Sequence, residues 1–183
     1  MRGRSSPLLS VLAVLVAAAT GLAGCGSDRS PRRVPDDGAP CSAVMPGAPR
    51  SGEQAIRLDR AVVTERSWIL PPAAAGDSPK ETTTYVVRRG VMPAGSALRD
   101  AALLDAAAAR AARGIALQDA MQPSIAKVAT GAGDAAELRW ATGRFRNATR
   151  YLLIPGGYCE VTILGATADA DIASYFASVQ LRP

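Results

Sequence analysis

Residues 145–164 carry the pattern that most restricts the fold. Phe145 to Ile154 is strand-forming, Pro155-Gly156-Gly157 supplies a turn, and Tyr158 to Leu164 returns. Two such runs joined by so short a connection pair antiparallel. Side chains alternate across a strand, so Cys159, Val161 and Ile163 share one face. Tyr158, Glu160 and Thr162 share the other. The alternation aims Cys159 at the core.

More strand material lies on both sides of this hairpin. Ser42 to Met45, Ala55 to Leu58, Ala61 to Thr64, Trp68 to Leu70 and Thr82 to Val87 are short apolar or β-branched runs, punctuated by Pro46-Gly47 and Pro71-Pro72. Residues 71–80 read as a loop. Ile125 to Ala129 and Glu137 to Thr142 add two further strands. Between these groups, Ser96 to Arg113 is alanine-rich with Leu98, Leu103 and Leu104 as anchors. Ser96 is placed to cap a helix there and Gly114 to end it, with a second piece running to Met121 before Pro123. A short helix follows at Asp169 to Ala177, where Ile172, Tyr175 and Phe176 fall on one face. Strands segregated from few helices argue for an α+β fold: a mainly antiparallel twisted sheet with one long and one short helix. Aromatic residues are only 4% of the chain, so the core must be built largely from Val, Ile, Leu and Ala.

The chain has no histidine. That excludes Ser-His-Asp and Cys-His mechanisms, and zinc sites built on imidazole. Carboxylate or lysine-assisted serine chemistry stays open. Asp100 and Asp105 are five positions apart, which separates them around a helix. Gly131-Ala132-Gly133 lacks the lysine and hydroxyl residue of a phosphate loop. Asn147-Ala148-Thr149 matches a glycosylation sequon, and Trp68 and Trp140 read as core and rim. No catalytic set, metal set or cofactor motif is expected. Arg144, Arg146 and Arg150 share strand parity, with Arg139 nearby, so these four form a candidate patch for an anionic partner. Leu152 and Ile154 share that parity too, so a bulge or register change is expected between them and the arginines. Counted without residues 1–24, 19 basic residues stand against 16 acidic ones, a balance of +3 that is mild and does not point to nucleic acid.

At the start of the chain, Arg2 and Arg4 precede an apolar run from Leu8 to Leu22. The run is short for a permanent span and has the form of a secretion signal. It ends in Leu22-Ala23-Gly24-Cys25, which resembles the lipobox of bacterial lipoproteins. The alternatives are an ordinary signal peptide with an incidental cysteine, or an uncleaved anchor. The resemblance implies removal of residues 1–24, lipid on Cys25, and attachment to the cell membrane or outer membrane at its extracytoplasmic face. Residues 25–40 then carry the lipidated Cys25 and a flexible tether, rich in Pro, Gly and charge. Residues 41–183 form a single domain. With Cys25 lipidated, Cys41 and Cys159 remain as a pair, which reads as a disulfide in an exported protein. Two buried free thiols are the alternative.

Val44-Met45-Pro46-Gly47-Ala48-Pro49 resembles the opening strand and turn of exported bacterial domains with a PsbP-like fold. Tyr85-Val86-Val87 before Met92-Pro93, Glu137-Leu138-Arg139, Arg150-Tyr151-Leu152-Leu153 and Tyr175-Phe176-Ala177-Ser178-Val179 resemble later parts of the same pattern. Members act mainly as accessory or protein-binding modules without a common catalytic site. The resemblance therefore implies a lipid-anchored, non-enzymatic envelope protein that binds or scaffolds a protein or another envelope component, anionic ones included. The alternatives are an envelope enzyme using carboxylate or Lys/Ser chemistry, and a small-ligand carrier.

Overall fold

The computed structural model describes residues 30–36, 38–72, 82–98, 100–119, 122–131 and 133–182. The expected signal segment and Cys25 lie outside the described residues, as does most of the 71–80 loop.

Seven strands form one antiparallel sheet. They are β3 (Arg50–Leu58), β4 (Ala61–Leu70), β5 (Thr84–Val91), β6 (Ser124–Thr130), β7 (Gly133–Thr142), β8 (Phe145–Ile154) and β9 (Gly157–Ala166). Their order is β3-β4-β5-β9-β8-β7-β6. Two meanders, β3 to β5 and β6 to β9, are thus joined where β5 pairs with β9. Helix α1 (Asp100–Asp119) connects them and packs across one face. Helix α2 (Asp169–Ala177) lies on the other face. There it meets a three-stranded sheet of β1 (Arg32–Val34), β2 (Cys41–Met45) and β10 (Gln180–Leu181), in the order β1-β2-β10. Among the described residues this is an α+β architecture with antiparallel sheets and two helices.

Each face has its own core, and strand alternation assigns the residues. On the α1 face, Leu103, Leu104, Ala107 and Ala108 bury Ile56, Leu58, Leu138, Tyr151 and Tyr158. On the α2 face, Ile172, Tyr175 and Phe176 join Ala43 and Met45 over Trp68, Val87, Leu152, Val161 and Ile163. Tyr175 also ties α2 to β5, its hydroxyl donating to the Val86 carbonyl at 3.1 Å. The hairpin at 145–164 forms with the expected face assignment. Both its faces are buried, because α1 covers the polar one as well.

Three boundaries differ from the sequence reading. Residues 32–34 belong to β1 and are not a free tether: Val34 sits opposite Ala43 and is buried. Three ladder pairs and one valine supply what composition alone does not show. The long helix starts at Asp100, after a turn in which Ser96 Oγ accepts from the Leu98 amide at 3.2 Å. It then runs through Gly114 without a break, because Leu103, Leu104, Ala107 and Ala108 fix it on the sheet. The register shift expected in β8 lies opposite Arg146 and Ala148, with the additional residue in β9. Gly165, at φ +76°, takes up that extra residue. The parity of β8 is therefore unbroken, and its arginines share a face with Leu152 and Ile154.

Candidate functional site

The polar half of the α1 face is a buried network. Register sets Arg88, Glu160 and Tyr151 side by side on β5, β9 and β8. The Arg88 guanidinium pairs with Glu160 Oε1. Tyr151 donates to Glu160 Oε2 at 3.1 Å, and Thr162 donates to Oε1 at 3.0 Å. The Thr149 and Thr162 hydroxyls meet at 2.8 Å. Two strands away, Glu65 accepts from Tyr158 at 2.6 Å and from Gln54 at 3.0 Å. Glu65 and Glu160 are only 2% and 4% exposed, so these bonds replace water that the carboxylates have lost.

Burial raises the Tyr151 hydroxyl well above its ordinary range, with Glu160 adding to it. Burial and then Glu65 raise Tyr158 in the same way. Glu160 in turn holds Arg88 charged. Neither of two surface clefts reaches Glu65 or Glu160. One, of about 290 Å³, lies between Met92–Leu98 and the β8–β9 turn. The other, of about 430 Å³, lies between α1 and the β6–β7 hairpin. Asp100 and Asp105 both line this second cleft despite their spacing, and Asp105 is answered by Lys127 at 3.4 Å.

The four arginines of the expected anionic-partner patch are largely engaged within the protein. Glu137 lies directly opposite Arg150 and takes two of its nitrogens, at 2.9 and 2.6 Å. Arg139 Nε reaches the other Glu137 oxygen at 2.6 Å. Burial pushes the Glu137 carboxyl up, but the hydrogen bonds from Arg139 and Arg150 outweigh it and the net shift is downward. Arg150 also stacks on Phe176, 4.2 Å from the ring centroid. Arg146 and Arg139 meet Asp169 at 3.2 and 3.8 Å. Together they clamp the first turn of α2 to β7 and β8. Among the described residues, Arg144 is the one of the four with no carboxylate partner, and it lies against Phe145.

A second basic group, unmarked in the sequence, is assembled by register. Arg66 and Arg89 are directly opposite on β4 and β5. Arg57 lies opposite Val62 on the same face, and Thr64 opposite Val91. Among the described residues, none of these three arginines has a carboxylate within ion-pair distance. Arg66 rests over Trp68 at 5.4 Å. The Nε atom of Arg89 is buried and has no hydrogen-bond partner. Only knowledge of the strand register could have found this group.

Cys41 and Cys159 form the disulfide, with Cα atoms 6.2 Å apart. It bolts β2 to β9, a strand near the middle of the large sheet. Among the described residues, no three His, Cys, Asp or Glu side chains gather to hold a metal ion, and no helix is long and apolar enough to cross a membrane. No family model, no curated protein and no solved structure matches the chain.

Proposed function

We propose that this is a lipid-anchored, non-enzymatic cell-envelope protein, a PsbP-like module that binds a protein or another envelope component. The observation that carries the reading is the cysteine arithmetic. Cys41 and Cys159 are joined, which fits an oxidising compartment. The third cysteine, Cys25, closes the Leu22-Ala23-Gly24-Cys25 pattern of a lipidation site. Cleavage and acylation at Cys25 would leave a short tether before β1. Two or more acyl chains would hold it stably at the bilayer.

The buried carboxylates favour a binding role over an enzymatic one. Each is satisfied by neighbours and lies away from the clefts, whereas a general base needs access to its substrate. Intact-mass analysis of the membrane-extracted protein tests the anchor. It should show loss of residues 1–24 and added acyl mass on Cys25, and Cys25→Ser should abolish both. An unmodified, uncleaved chain would overturn the reading. Crosslinking of the anchored protein in cells then tests binding. Capture of no component, together with turnover of an envelope substrate, would replace it with the enzyme reading.

A further inference from the structure

We propose that Arg57, Arg66 and Arg89, with Val62 and Val91, form a docking ledge for an acidic segment of a partner protein that also bears apolar side chains. The proposal rests on the protein-binding part of the reading above, and not on the anchor.

The ledge follows from the way the sheet is covered. The small sheet packs onto β5 through β2, and the disulfide reaches Cys159, which lies in one row with Arg66 and Arg89. Beyond that row the sheet extends as an open floor. Val91 is 45% exposed and Val62 58%. These two valines stand between Arg57 on one side and the Arg66–Arg89 pair on the other.

Glu53 stands directly opposite Arg66 on β3, beyond ion-pair distance, so this face sets three arginines against one neighbouring carboxylate and keeps a positive balance. Like charges placed directly opposite on neighbouring strands repel and weaken a sheet. A carboxylate lying over both guanidinium groups answers the charge, and guanidinium geometry suits paired hydrogen bonds to such a group.

The exposed valines decide between kinds of anion. A free phosphate would use the arginines and leave Val62 and Val91 in water. An acidic segment with intervening apolar residues covers both, at the mixed polar and apolar surface typical of protein recognition. A bilayer would meet the same arginines through its phosphate groups, and the lipid arm of the experiment separates that source.

The test uses the full chain in neutral detergent and two fluorescent synthetic peptides of equal length, one alternating Glu with Val and the other Lys with Val. Fluorescence anisotropy should detect binding of the Glu–Val peptide only, lost in about 0.5 M salt as expected for charge pairing. Arg66→Gln/Arg89→Gln should weaken it at least tenfold. Arg66→Lys/Arg89→Lys should recover part of the loss, which separates loss of charge from loss of fold. Equal binding of both peptides, or unchanged binding to the Gln variant, would overturn the proposal. So would stronger association with phosphatidylglycerol micelles that the Gln variant abolishes, because the site would then belong to lipid. Acyl mass on Cys25, measured on the same sample, reports on the anchor separately.

Discussion

Tyr158 donates its hydroxyl hydrogen to Glu65 at 2.6 Å, across 93 residues of sequence and from β9 to β4. The two strands are not neighbours, since β5 lies between them. The bond therefore reaches over β5, above Gly90. A Cβ at position 90 would stand 2.3 Å from the Tyr158 ring, so the glycine is what lets the tyrosine lie flat across its neighbour.

Removing that hydroxyl leaves Glu65 buried with Gln54 as its one remaining hydrogen-bond donor. Tyr158→Phe is expected to lose about 1.5–3 kcal/mol, the range for hydrogen bonds to charged groups. The midpoint of urea unfolding should fall with no change in its slope. An unchanged midpoint would mean that Glu65 finds a substitute.

All four tyrosines have hydroxyls raised above their ordinary range, with burial the leading cause in each. The folded state thus holds these protons more tightly than the unfolded chain. Their contribution is fully present below about pH 10, the unfolded value, and is lost as pH rises towards the folded ones. Phenolate absorbance should stay flat through about pH 10 and then rise together with unfolding. A tyrosine titrating near pH 10 in folded protein would contradict this.

The clamp on Glu137 behaves in the opposite sense. Its folded value is depressed, so its contribution is present above the unfolded value, about pH 4.5, and is lost as pH falls through the folded one. Glu137→Gln should be less stable than the parent at neutral pH and should show a shallower loss between about pH 5 and pH 3. Equal acid slopes for the two proteins would rule out this role.

The disulfide closes a separation of 118 residues. Cys41→Ala/Cys159→Ala should cost about 4–5 kcal/mol on the loop-closure argument. Differential scanning calorimetry of the variant and of reduced parent protein should show similar falls in Tm.

Two glycine substitutions should move stability in opposite directions. A Cβ on Gly157 would lie 1.9 Å from the Gly90 carbonyl oxygen, a backbone atom with no freedom to retreat. Gly157→Ala should therefore break the β5–β9 pairing, and little folded protein should accumulate. At Gly114 nothing lies within 4 Å, and the residue is inside α1. Gly114→Ala should add up to about 1 kcal/mol, the difference in helix propensity, which thermal unfolding would read directly.

Local pattern made much of this fold legible. The β8–β9 hairpin, the assignment of Cys159 and Glu160 to opposite faces, and the Ile172–Tyr175–Phe176 stripe all follow from side-chain period. What depended on partners distant in sequence did not. Arg32–Val34 becomes a strand only because β2 offers an edge. Gln180 and Leu181 pair with that strand's other edge, and no periodicity can show in so short a segment. The arginines illustrate the same division. Arg139, Arg146 and Arg150 are close in sequence, but Glu137 and the loop-to-helix junction at Asp169 decide their role. Arg57, Arg66 and Arg89 look unrelated in sequence until the register of three strands brings them together.

The bolt between β2 and β9 also determines how the molecule would carry a mechanical load. A pull on the chain ahead of Arg32 acts first on β1, whose three ladder pairs can peel away one at a time. Drawn further, the strain arrives at Cys41, where it passes covalently into Cys159. From there it spreads to strands hydrogen-bonded on both sides of β9. A tug at the N-terminal end thus pays out a few residues of slack and then stops, with the large sheet and its exposed floor still intact.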